Sequence, residues 1–159
     1  MRHTLILALF IFSLLLISGC DKARIIDENK EIPASGWYYK NKLGFDFEIK
    51  DTNRIYTVYV NVRAENDYPF SNLFVMLHQR NPGNKDTSFR RELTLINENG
   101  KWLGKGLGDL FDFQLPVMER VRFKEKGLYH FDLEQNMRLD TLPHIMAAGM
   151  RVEDVALTR

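Results

Sequence analysis

The chain has 159 residues, 45% of them apolar, with 22 lysines and arginines against 21 aspartates and glutamates and one cysteine. This length supports a single domain with at most one additional processing segment. The near balance of charge removes the electrostatic argument for a nucleic-acid-binding protein, which would carry a clustered basic excess. One cysteine excludes an internal disulfide framework and a zinc site built from several thiolates.

The first twenty residues have the features of an export signal. Arg2 and His3 give a positive start, the first acidic residue is Asp21, and an apolar run interrupted only by Ser13 covers residues 5–17. A helix of that length is roughly 20 Å long and falls short of the ~30 Å hydrocarbon core of a bilayer. Residues 1–19 are therefore predicted to be a cleaved signal peptide and not a membrane span.

The signal ends in Ile17-Ser18-Gly19-Cys20. Two small residues let a peptidase approach the backbone, and a thiol is a nucleophile that can accept a diacylglyceryl group. This segment resembles the lipobox of bacterial lipoproteins, which implies cleavage after Gly19 and acylation of Cys20, palmitate being a typical acyl chain. An ordinary signal peptide with an incidental cysteine is the alternative, but an unpaired thiol in an exported protein needs an explanation, and acylation provides it.

Loss of residues 1–19 leaves 21 basic and 21 acidic side chains, so the mature chain is formally neutral. Membrane attachment is then expected from acyl chains, at about 0.8 kcal/mol per buried CH₂ group, and not from a polybasic patch. Residues 20–35 combine the acylated cysteine with a mixed-charge stretch that lacks strand or helix periodicity, and they are predicted to be a flexible tether. Ile25 and Ile26 are its candidates for docking on the body.

Beyond the tether, apolar residues alternate with a period of two, which predicts half-buried β-strands. The segments with this pattern are 43–49, 56–62, 73–79, 89–95, 111–117, 121–123, 129–133 and 150–152. Residues 73–79 are apolar on both faces at their start, as in a central strand, whereas the weaker alternation of 89–95 favours an edge strand. Asn97-Glu98-Asn99-Gly100 predicts a tight turn.

These short strands predict an all-β fold for residues 36–159, a single antiparallel two-sheet β-sandwich of the jelly-roll or Greek-key kind. Pro116 is expected to end regular pairing of its strand. Residues 142–148 are expected to form one helical turn, and no long amphipathic helix is visible. A domain of this size needs no disulfide or metal for stability.

The mature chain has three histidines, His78, His130 and His144, which are far apart in sequence. His78 and His130 fall in predicted strands and can point the same way, but without a second ligand at metal spacing they are predicted to be surface or rim residues. The convergence of both with a carboxylate in one pocket would favour an enzyme.

Other candidates for catalysis are weak. The serines Ser35, Ser71 and Ser88 lack the Gly-x-Ser-x-Gly nucleophile motif. Asp109 and Asp112 flank two apolar residues and are candidates for acid–base work or calcium binding, but acidic residues in strands and turns usually face solvent. We therefore expect no catalytic residue, cofactor or metal.

Three further segments have a structural and a functional interpretation. The glycines in residues 103–109 resemble a phosphate loop but lack the terminal Gly-Lys-Ser/Thr, so a bulge or a close backbone approach is expected. Trp37-Tyr38-Tyr39 and Trp102 are candidates for a ligand platform, although burial is the commoner fate of aromatic residues. The polar loop 65–72 is a candidate interaction tip.

Several blocks, taken in order, resemble the GldH family of gliding-motility lipoproteins from Bacteroidota. They are the lipobox with Cys20-Asp21-Lys22, residues 66–74, Leu103-Gly104-Lys105-Gly106, Gly127-Leu128-Tyr129, Gln135-Asn136-Met137-Arg138 and residues 149–153. One departure is Asn136, where the family usually has alanine. The resemblance covers nearly the whole mature chain.

The resemblance implies a non-enzymatic accessory lipoprotein of the gliding apparatus, linked to type IX secretion, with envelope proteins as partners. It implies no catalytic residues, and relatives in non-motile bacteria mean that it does not guarantee gliding. The alternative is a glycan- or peptidoglycan-binding sandwich lipoprotein of the cell envelope, based on Trp37 and Trp102.

The side of the membrane is less well defined by the sequence. In enterobacteria, an aspartate directly after the acylated cysteine, as Asp21 is here, retains a lipoprotein at the inner membrane, but this rule need not hold in Bacteroidota. The segment Asp21-Lys22-Ala23-Arg24 lacks the acidic run of surface-exported lipoproteins. An outer-membrane anchor that faces the periplasm is favoured, and the inner membrane and the cell surface stay open.

Overall fold

A computed structural model describes residues 23–155; the predicted signal peptide and Cys20 lie outside the described residues. The described residues form eleven strands: β1 (Arg24–Glu31), β2 (Trp37–Tyr38), β3 (Leu43–Ile49), β4 (Tyr56–Glu65), β5 (Asn72–Arg80), β6 (Asp86–Thr94), β7 (Lys105–Leu107), β8 (Leu110–Val121), β9 (Gly127–Gln135), β10 (Thr141–Leu142) and β11 (Ile145–Asp154). Within this described part, no helix is long and apolar enough to cross a membrane.

The strands form two antiparallel sheets that enclose one core. The five-stranded sheet has the order β1-β11-β4-β8-β7, the four-stranded sheet has the order β3-β9-β5-β6, and β10 pairs with β2 in a small ribbon. Alternate residues such as Val60 from the first sheet and Phe131 from the second are fully buried in a shared hydrophobic cluster. The predicted antiparallel two-sheet β-sandwich is therefore confirmed, and neighbouring strands that are distant in sequence give it Greek-key-like crossovers.

Several strands lie where the alternation predicts them. The segment 43–49 coincides with β3, and 73–79 lies within β5, which is central because β9 and β6 flank it. The weakly alternating 89–95 falls mainly in β6, the edge of the four-stranded sheet. The turn after β6 is closed by a hydrogen bond from Gly100 N to Asn97 O at 3.0 Å.

The tether prediction for residues 20–35 is wrong for Arg24–Glu31, which form β1 and pair with β11 along the edge of the five-stranded sheet. The sequence of this strand shows no alternation of apolar and polar residues, because only two of its side chains, Ile26 and Lys30, are half-buried and the others are exposed. Charged side chains are typical of edge strands, where they discourage pairing with other molecules. Ile26 docks on the core as expected, whereas Ile25 is 38% exposed.

The expectation that Pro116 ends pairing is also wrong, because β8 continues to Val121. Tyr59 pairs with Pro116 and Val58 with Met118, so Val117 is the extra residue of a β-bulge. Since β7 pairs only with the first residues of β8, the remainder of β8 is the edge of its sheet, where a missing N–H group is tolerated.

The helical turn expected over 142–148 does not form. Leu142 belongs to β10, and β11 begins at Ile145. His144 between them has φ = 60°, and this left-handed conformation turns the chain from one strand into the next.

Long cationic side chains bridge the two open sides of the sandwich. On one side, Lys30 of β1 donates a hydrogen bond to the carbonyl oxygen of Gly44 in β3, at 2.5 Å. On the other side, Arg91 of β6 donates from Nε to the bulge carbonyl of Val117 in β8, at 2.9 Å. Each contact joins one sheet to the other.

We call the end of the sandwich at which β1 begins the base and the opposite end the apex. The loops 50–55, 81–85 and 122–126 meet at the base, where Val155 N bonds to Ile55 O and Gly83 N bonds to Glu125 Oε2. An aromatic cluster closes the core above these loops; its rings belong to Phe47, Tyr56, Phe123 and Tyr129.

The pairing of β1 with β11 depends on the absence of a side chain at Gly149. A Cβ atom there would collide with Oδ1 of Asn29 and the carbonyl oxygen of Glu28. We expect Gly149→Ala to lower the free energy of unfolding by roughly 1–3 kcal/mol, the usual cost of overpacking. The matched variant Gly83→Ala, which meets only the flexible end of Glu125, should change it by less than about 0.5 kcal/mol. Equal denaturation midpoints for the two variants would contradict this account.

Candidate functional site

A polar groove crosses the outer face of the five-stranded sheet. It has a volume of about 640 Å³. Side chains of β1 form one wall, and the segment Leu103-Gly104-Lys105 forms the other. Between β1 and β4, β11 contributes Ala147 to the floor, and its small side chain keeps the floor low beside Glu31 and Arg63.

The floor of the groove is a ladder of side-chain amides. Nδ2 of Asn61 donates to Asp27 Oδ1 at 2.9 Å and to Asn29 Oδ1 at 3.1 Å, and Gln114 Nε2 donates to Asn61 Oδ1 at 3.2 Å. Asn29 aligns with Gly149 of β11, Gly149 aligns with Asn61, and Asn61 aligns with Gln114. The registers of four successive strands therefore hold the amides in a row, and the side chain of Asn29 reaches Asn61 over Gly149. Both Nδ2 hydrogens of the buried Asn61 are used within the row, so the exposed amide of Gln114 is the one that offers a further donor and an acceptor to a polar ligand.

A row of charged side chains lies beside the amides. Arg63 binds Asp112 through Nε–Oδ1 at 2.7 Å and Nη2–Oδ2 at 3.2 Å, the two-bond geometry typical of arginine and carboxylate. This hydrogen-bonded carboxylate raises the pKa of Arg63 above its usual value. Glu31 and Lys105 flank the pair at opposite ends of the groove. Charge therefore alternates across the sheet.

The glycines of the 103–109 segment allow a close approach, as expected from the sequence. A Cβ atom at Gly104 would lie 2.8 Å from the carbonyl oxygen of Asp112 and from the ring of Phe113, and one at Gly106 would lie 2.9 Å from the ring of Phe111. The segment is a wall of the groove.

Asp109 and Asp112 do not form a joint acidic site. Asp109 lies in the turn between β7 and β8, where its carbonyl oxygen accepts a hydrogen bond from Asn66 N, whereas Asp112 is paired with Arg63. Among residues 23–155, no group of three or more histidine, cysteine, aspartate or glutamate side chains is placed to hold a metal ion.

His78 and His130 both lie on the outer face of the four-stranded sheet, and with Asp132 they line one shallow cleft. His130 is held between two carboxylates, with Nδ1 2.8 Å from Asp46 Oδ1 and Nε2 3.2 Å from Asp132 Oδ1. Gly44 makes room for this ring, because a Cβ atom there would lie 3.0 Å from His130 Cε1. His78, His130 and a carboxylate therefore converge in one cleft, the arrangement that was expected to favour an enzyme. The sequence suggested the shared direction of the two histidines but not their carboxylate partners.

Ser88, His78 and Glu134 form a short chain of hydrogen bonds. His78 Nδ1 lies 2.8 Å from Ser88 Oγ, and Nε2 lies 3.1 Å from Glu134 Oε2. The order resembles a nucleophile, base and acid, but Lys42 Nζ lies 2.9 Å from the same Glu134 oxygen and 3.2 Å from Nε2. Lys42 neutralises the carboxylate that would have to stabilise a protonated imidazole, so the arrangement is better suited to linking neighbouring strands.

The other predicted residues lie elsewhere. Ser35 is exposed in the connection after β1, and Ser71 accepts backbone hydrogen bonds from Leu95 and Ile96 through its carbonyl oxygen. His144 binds Glu65 Oε2 through Nδ1 at 2.7 Å at the apex.

The two tryptophans do not form a ligand platform, and Trp37 has the burial that is the commoner fate of aromatic residues. Trp37 is fully buried and donates to Asn41 O at 2.9 Å. Trp102 stacks on Phe111 at 4.6 Å between ring centroids. Tyr38 and Tyr39, 42% and 37% exposed, remain as an edge-to-face aromatic pair.

The polar loop 65–72 is fastened to the body of the domain. Tyr68 is buried, its hydroxyl donates to Asn72 O at 2.9 Å, and desolvation raises its pKa. Trp102 Nε1 donates to Asn66 Oδ1 at 3.2 Å. This loop therefore has a fixed conformation that supports the apex.

Comparison with known proteins shows relatives along the whole fold. The sequence model of the GldH lipoprotein family matches residues 24–152, from the first residue of β1 into β11. This chain belongs to the GldH lipoprotein family. The recognised resemblance is therefore confirmed.

Two curated relatives of the GldH family cover nearly the whole chain. The "Gliding motility lipoprotein GldH homolog" of Christiangramia forsetii is 34% identical over 160 residues, which cover 96% of this chain and 98% of the relative. The "Gliding motility lipoprotein GldH" of Flavobacterium johnsoniae is 30% identical over 152 residues, which cover 91% of this chain and 94% of the relative.

The segments by which this GldH family member resembles its family carry structural contacts. Gln135 is buried, and its Nε2 donates to Leu139 O at 2.9 Å. The departure at Asn136 is tolerated because its backbone N–H, which any residue but proline supplies, bonds to Phe74 O at 2.8 Å.

The buried and exposed aromatic residues of Trp37-Tyr38-Tyr39 are expected to contribute differently to the free energy of unfolding. We expect Trp37→Ala to destabilise the domain by about 3–5 kcal/mol, because a large, fully buried side chain is removed. Tyr38→Ala should cost less than about 0.5 kcal/mol. Chemical denaturation of both variants checks this, and similar losses for the two would show that Trp37 is not a core residue.

His130 is expected to titrate above the ordinary histidine range. The hydrogen bond to Asp46 is the main reason that its pKa is raised, and Asp132 adds to this effect. Because the folded state favours protonation of His130, the protonated imidazole stabilises the folded domain. This contribution is fully present below the unfolded pKa of about 6.5 and is lost as pH rises through the higher pKa of the folded state. An NMR titration should show this raised pKa, and Asp46→Asn should lower it. A His130 pKa below the ordinary histidine value would contradict the hydrogen bonds of this ring to Asp46 and Asp132.

Proposed function

We propose that this chain is a non-enzymatic, lipid-anchored accessory component of the gliding motility machinery, linked to type IX secretion. The single observation that carries this proposal is the family match, which covers the whole sandwich from β1 into β11. Both relatives have "gliding motility lipoprotein" in their names and align over at least 91% of this chain.

The non-enzymatic part of the proposal is supported by the state of the polar groups in the two clefts. Arg63 and Asp112 satisfy one another in the groove, and both ring nitrogens of His130 are engaged by carboxylates. A catalytic group has to be available to the substrate. These side chains serve instead as links between neighbouring strands.

The anchor of the proposed lipoprotein is Cys20, acylated after cleavage behind Gly19. The motif Ile17-Ser18-Gly19-Cys20 supports this assignment, and Cys20 precedes β1 by only four residues. Several acyl chains on one residue give a long-lived attachment, whereas a single chain gives a marginal one. We place the anchor in the outer membrane with the domain in the periplasm.

We propose that the groove of the five-stranded sheet is where the domain contacts an envelope partner. Its amides and alternating charges offer directional contacts along a row that crosses the sheet, and the small side chain of Ala147 keeps the floor low at one point of that row. Glu31 and Lys105 at its two ends are exposed, so they are available to select a partner by charge.

A second candidate is a glycan- or peptidoglycan-binding role. The polar groove favours it, because amides and carboxylates are suited to hydroxyl groups. The burial of Trp37 and the stacking of Trp102 remove the stacking platform on which this alternative was based, so it ranks below a protein partner.

Photo-crosslinking in living cells tests the protein partner. A photoreactive residue at Lys105, on the groove, should capture defined components of the gliding or secretion machinery. The same residue at Glu98, exposed in the turn after β6, should not. Recovery of only glycan fragments or abundant porins from position 105 would contradict the proposal.

Charge reversal supplies a matched control. We expect Glu31→Lys to lower the crosslink yield at position 105 by about tenfold, equivalent to roughly 1.4 kcal/mol of binding free energy. Glu98→Lys makes the same charge change outside the groove and should leave the yield unchanged. Equal yields for the two variants would show that the groove does not select the partner.

A further inference from the structure

The two ends of the sandwich differ in charge, although the mature chain is formally neutral. The three basal loops contain six cations and two acidic residues, a formal excess of four positive charges. The cations are Lys50, Arg54, Lys85, Arg122, Lys124 and Lys126, and the acids are Asp51 and Glu125. The apical connections 39–42, 66–71, 95–104, 108–109 and 136–140 hold four cations and four acids. The excess is therefore confined to the base.

Most of the basal charge is not neutralised by neighbours. Arg54 is paired with Asp154 at 3.0 Å, and Lys50 lies 3.7 Å from Glu48. The remaining four cations are exposed, and none of them forms an ion pair with another residue of the described part of the chain. They are Lys85, Arg122, Lys124 and Lys126. Three of them lie in one loop, between β8 and β9.

The base is also the end of the domain that lies nearest to the proposed anchor. β1 begins there at Arg24, and its pairing with β11 fixes the direction in which the chain leaves the sandwich. Three residues separate Arg24 from Cys20, and the four steps from one Cα atom to the next extend over at most roughly 14 Å. Charges act across about 8 Å at physiological ionic strength, so a domain held this closely brings its basal loops within range of lipid headgroups.

We propose that the base is a membrane-contacting surface, on which Lys85, Arg122, Lys124 and Lys126 bind the anionic headgroups of phospholipids. The proposal rests on acylation of Cys20, which supplies the attachment, while the cations supply orientation. The exposed Ile25 at the start of β1 adds apolar contact at the same end. A lysine or arginine near an anionic surface strengthens binding about fivefold.

This contact orients the rest of the molecule. Because the strands run from base to apex, they stand away from the bilayer when the base lies on it. The groove of the five-stranded sheet then opens sideways, and the apical loops face away from the membrane. Both surfaces stay accessible to a protein partner while the acyl chains and the basal cations hold the domain.

Lysine labelling of the native acylated protein in vesicles tests the proposal. The protein is reconstituted into vesicles that contain phosphatidylglycerol or only phosphatidylcholine, and a water-soluble amine reagent is applied from outside. We expect the reagent to label Lys85 and Lys124 about fivefold more slowly in the phosphatidylglycerol vesicles, which is the factor by which one cation strengthens binding to an anionic surface. The labelling rate of Lys101 at the apex should be the same in both vesicle types. The difference should disappear in high salt, which screens surface charge.

Two matched double variants separate basal charge from total charge. Arg122→Glu/Lys126→Glu should abolish the protection of Lys85 and Lys124, whereas Lys101→Glu/Arg138→Glu makes the same charge change at the apex and should preserve it. All four substituted side chains are exposed. Protection that persists in the basal variant would overturn the proposal.

The outcomes also separate this proposal from the anchor on which it rests. Failure to float with either vesicle type would contradict acylation of Cys20 and, with it, the membrane-contacting base. Flotation with equal labelling in both lipid compositions would leave the anchor intact and overturn the basal contact alone. Protection of Lys124 in cells but in neither vesicle type would assign the base to an acidic protein and overturn the assignment to lipid.

Discussion

The pairing of β1 with β11 is the contact on which the arrangement of this molecule depends. It places the start of the folded chain at the base, within four residues of Cys20, and it supplies one wall of the groove through Asn29 and Glu31. Gly149 permits the pairing, because only a residue without a side chain leaves room for Asn29. A strand at the edge of the sandwich thus determines both which end of the domain lies nearest to the proposed anchor and how the domain presents its polar surface.

Residues in the segments by which this chain resembles the GldH family hold surfaces of the domain in place. The hydroxyl group of Tyr68 donates a hydrogen bond within the apical loop 65–72, and Gly104 lets the backbone lie against the ring of Phe113. The amide of Gln135 donates to the carbonyl oxygen of Leu139 just after β9. On the outer face of the four-stranded sheet, His130 joins β9 to β3 through Asp46. This pattern is what a binding scaffold requires, since fixed loops lose little entropy when a partner docks.

Much of the sandwich could be predicted because strands with one buried face reveal themselves by alternation, as β3 and β9 do. β1 was not predicted because an edge strand buries few side chains and so shows little alternation. The prediction for Pro116 was wrong because proline interrupts pairing only inside a sheet, and β8 is an edge strand where β7 no longer pairs with it. The groove depends on which strands become neighbours: Asp27, Asn61 and Gln114 are far apart in sequence and meet only through pairing. Burial of Trp37 agrees with the commoner fate of aromatic residues, whereas its hydrogen-bond partner, the carbonyl oxygen of Asn41, is defined only by the fold.

Hydrogen exchange of β1 in the native membrane-bound protein tests the central claim most directly. If β1 is an integral strand, the backbone amides of residues 26–31 that bond to β11 exchange as slowly as those of the interior strand β4, and Gly149→Ala accelerates exchange in β1 selectively. If these amides exchange at the rate of an unfolded chain, the segment is a flexible tether. Cys20 would then place no constraint on the base, and the orientation derived from it would be contradicted.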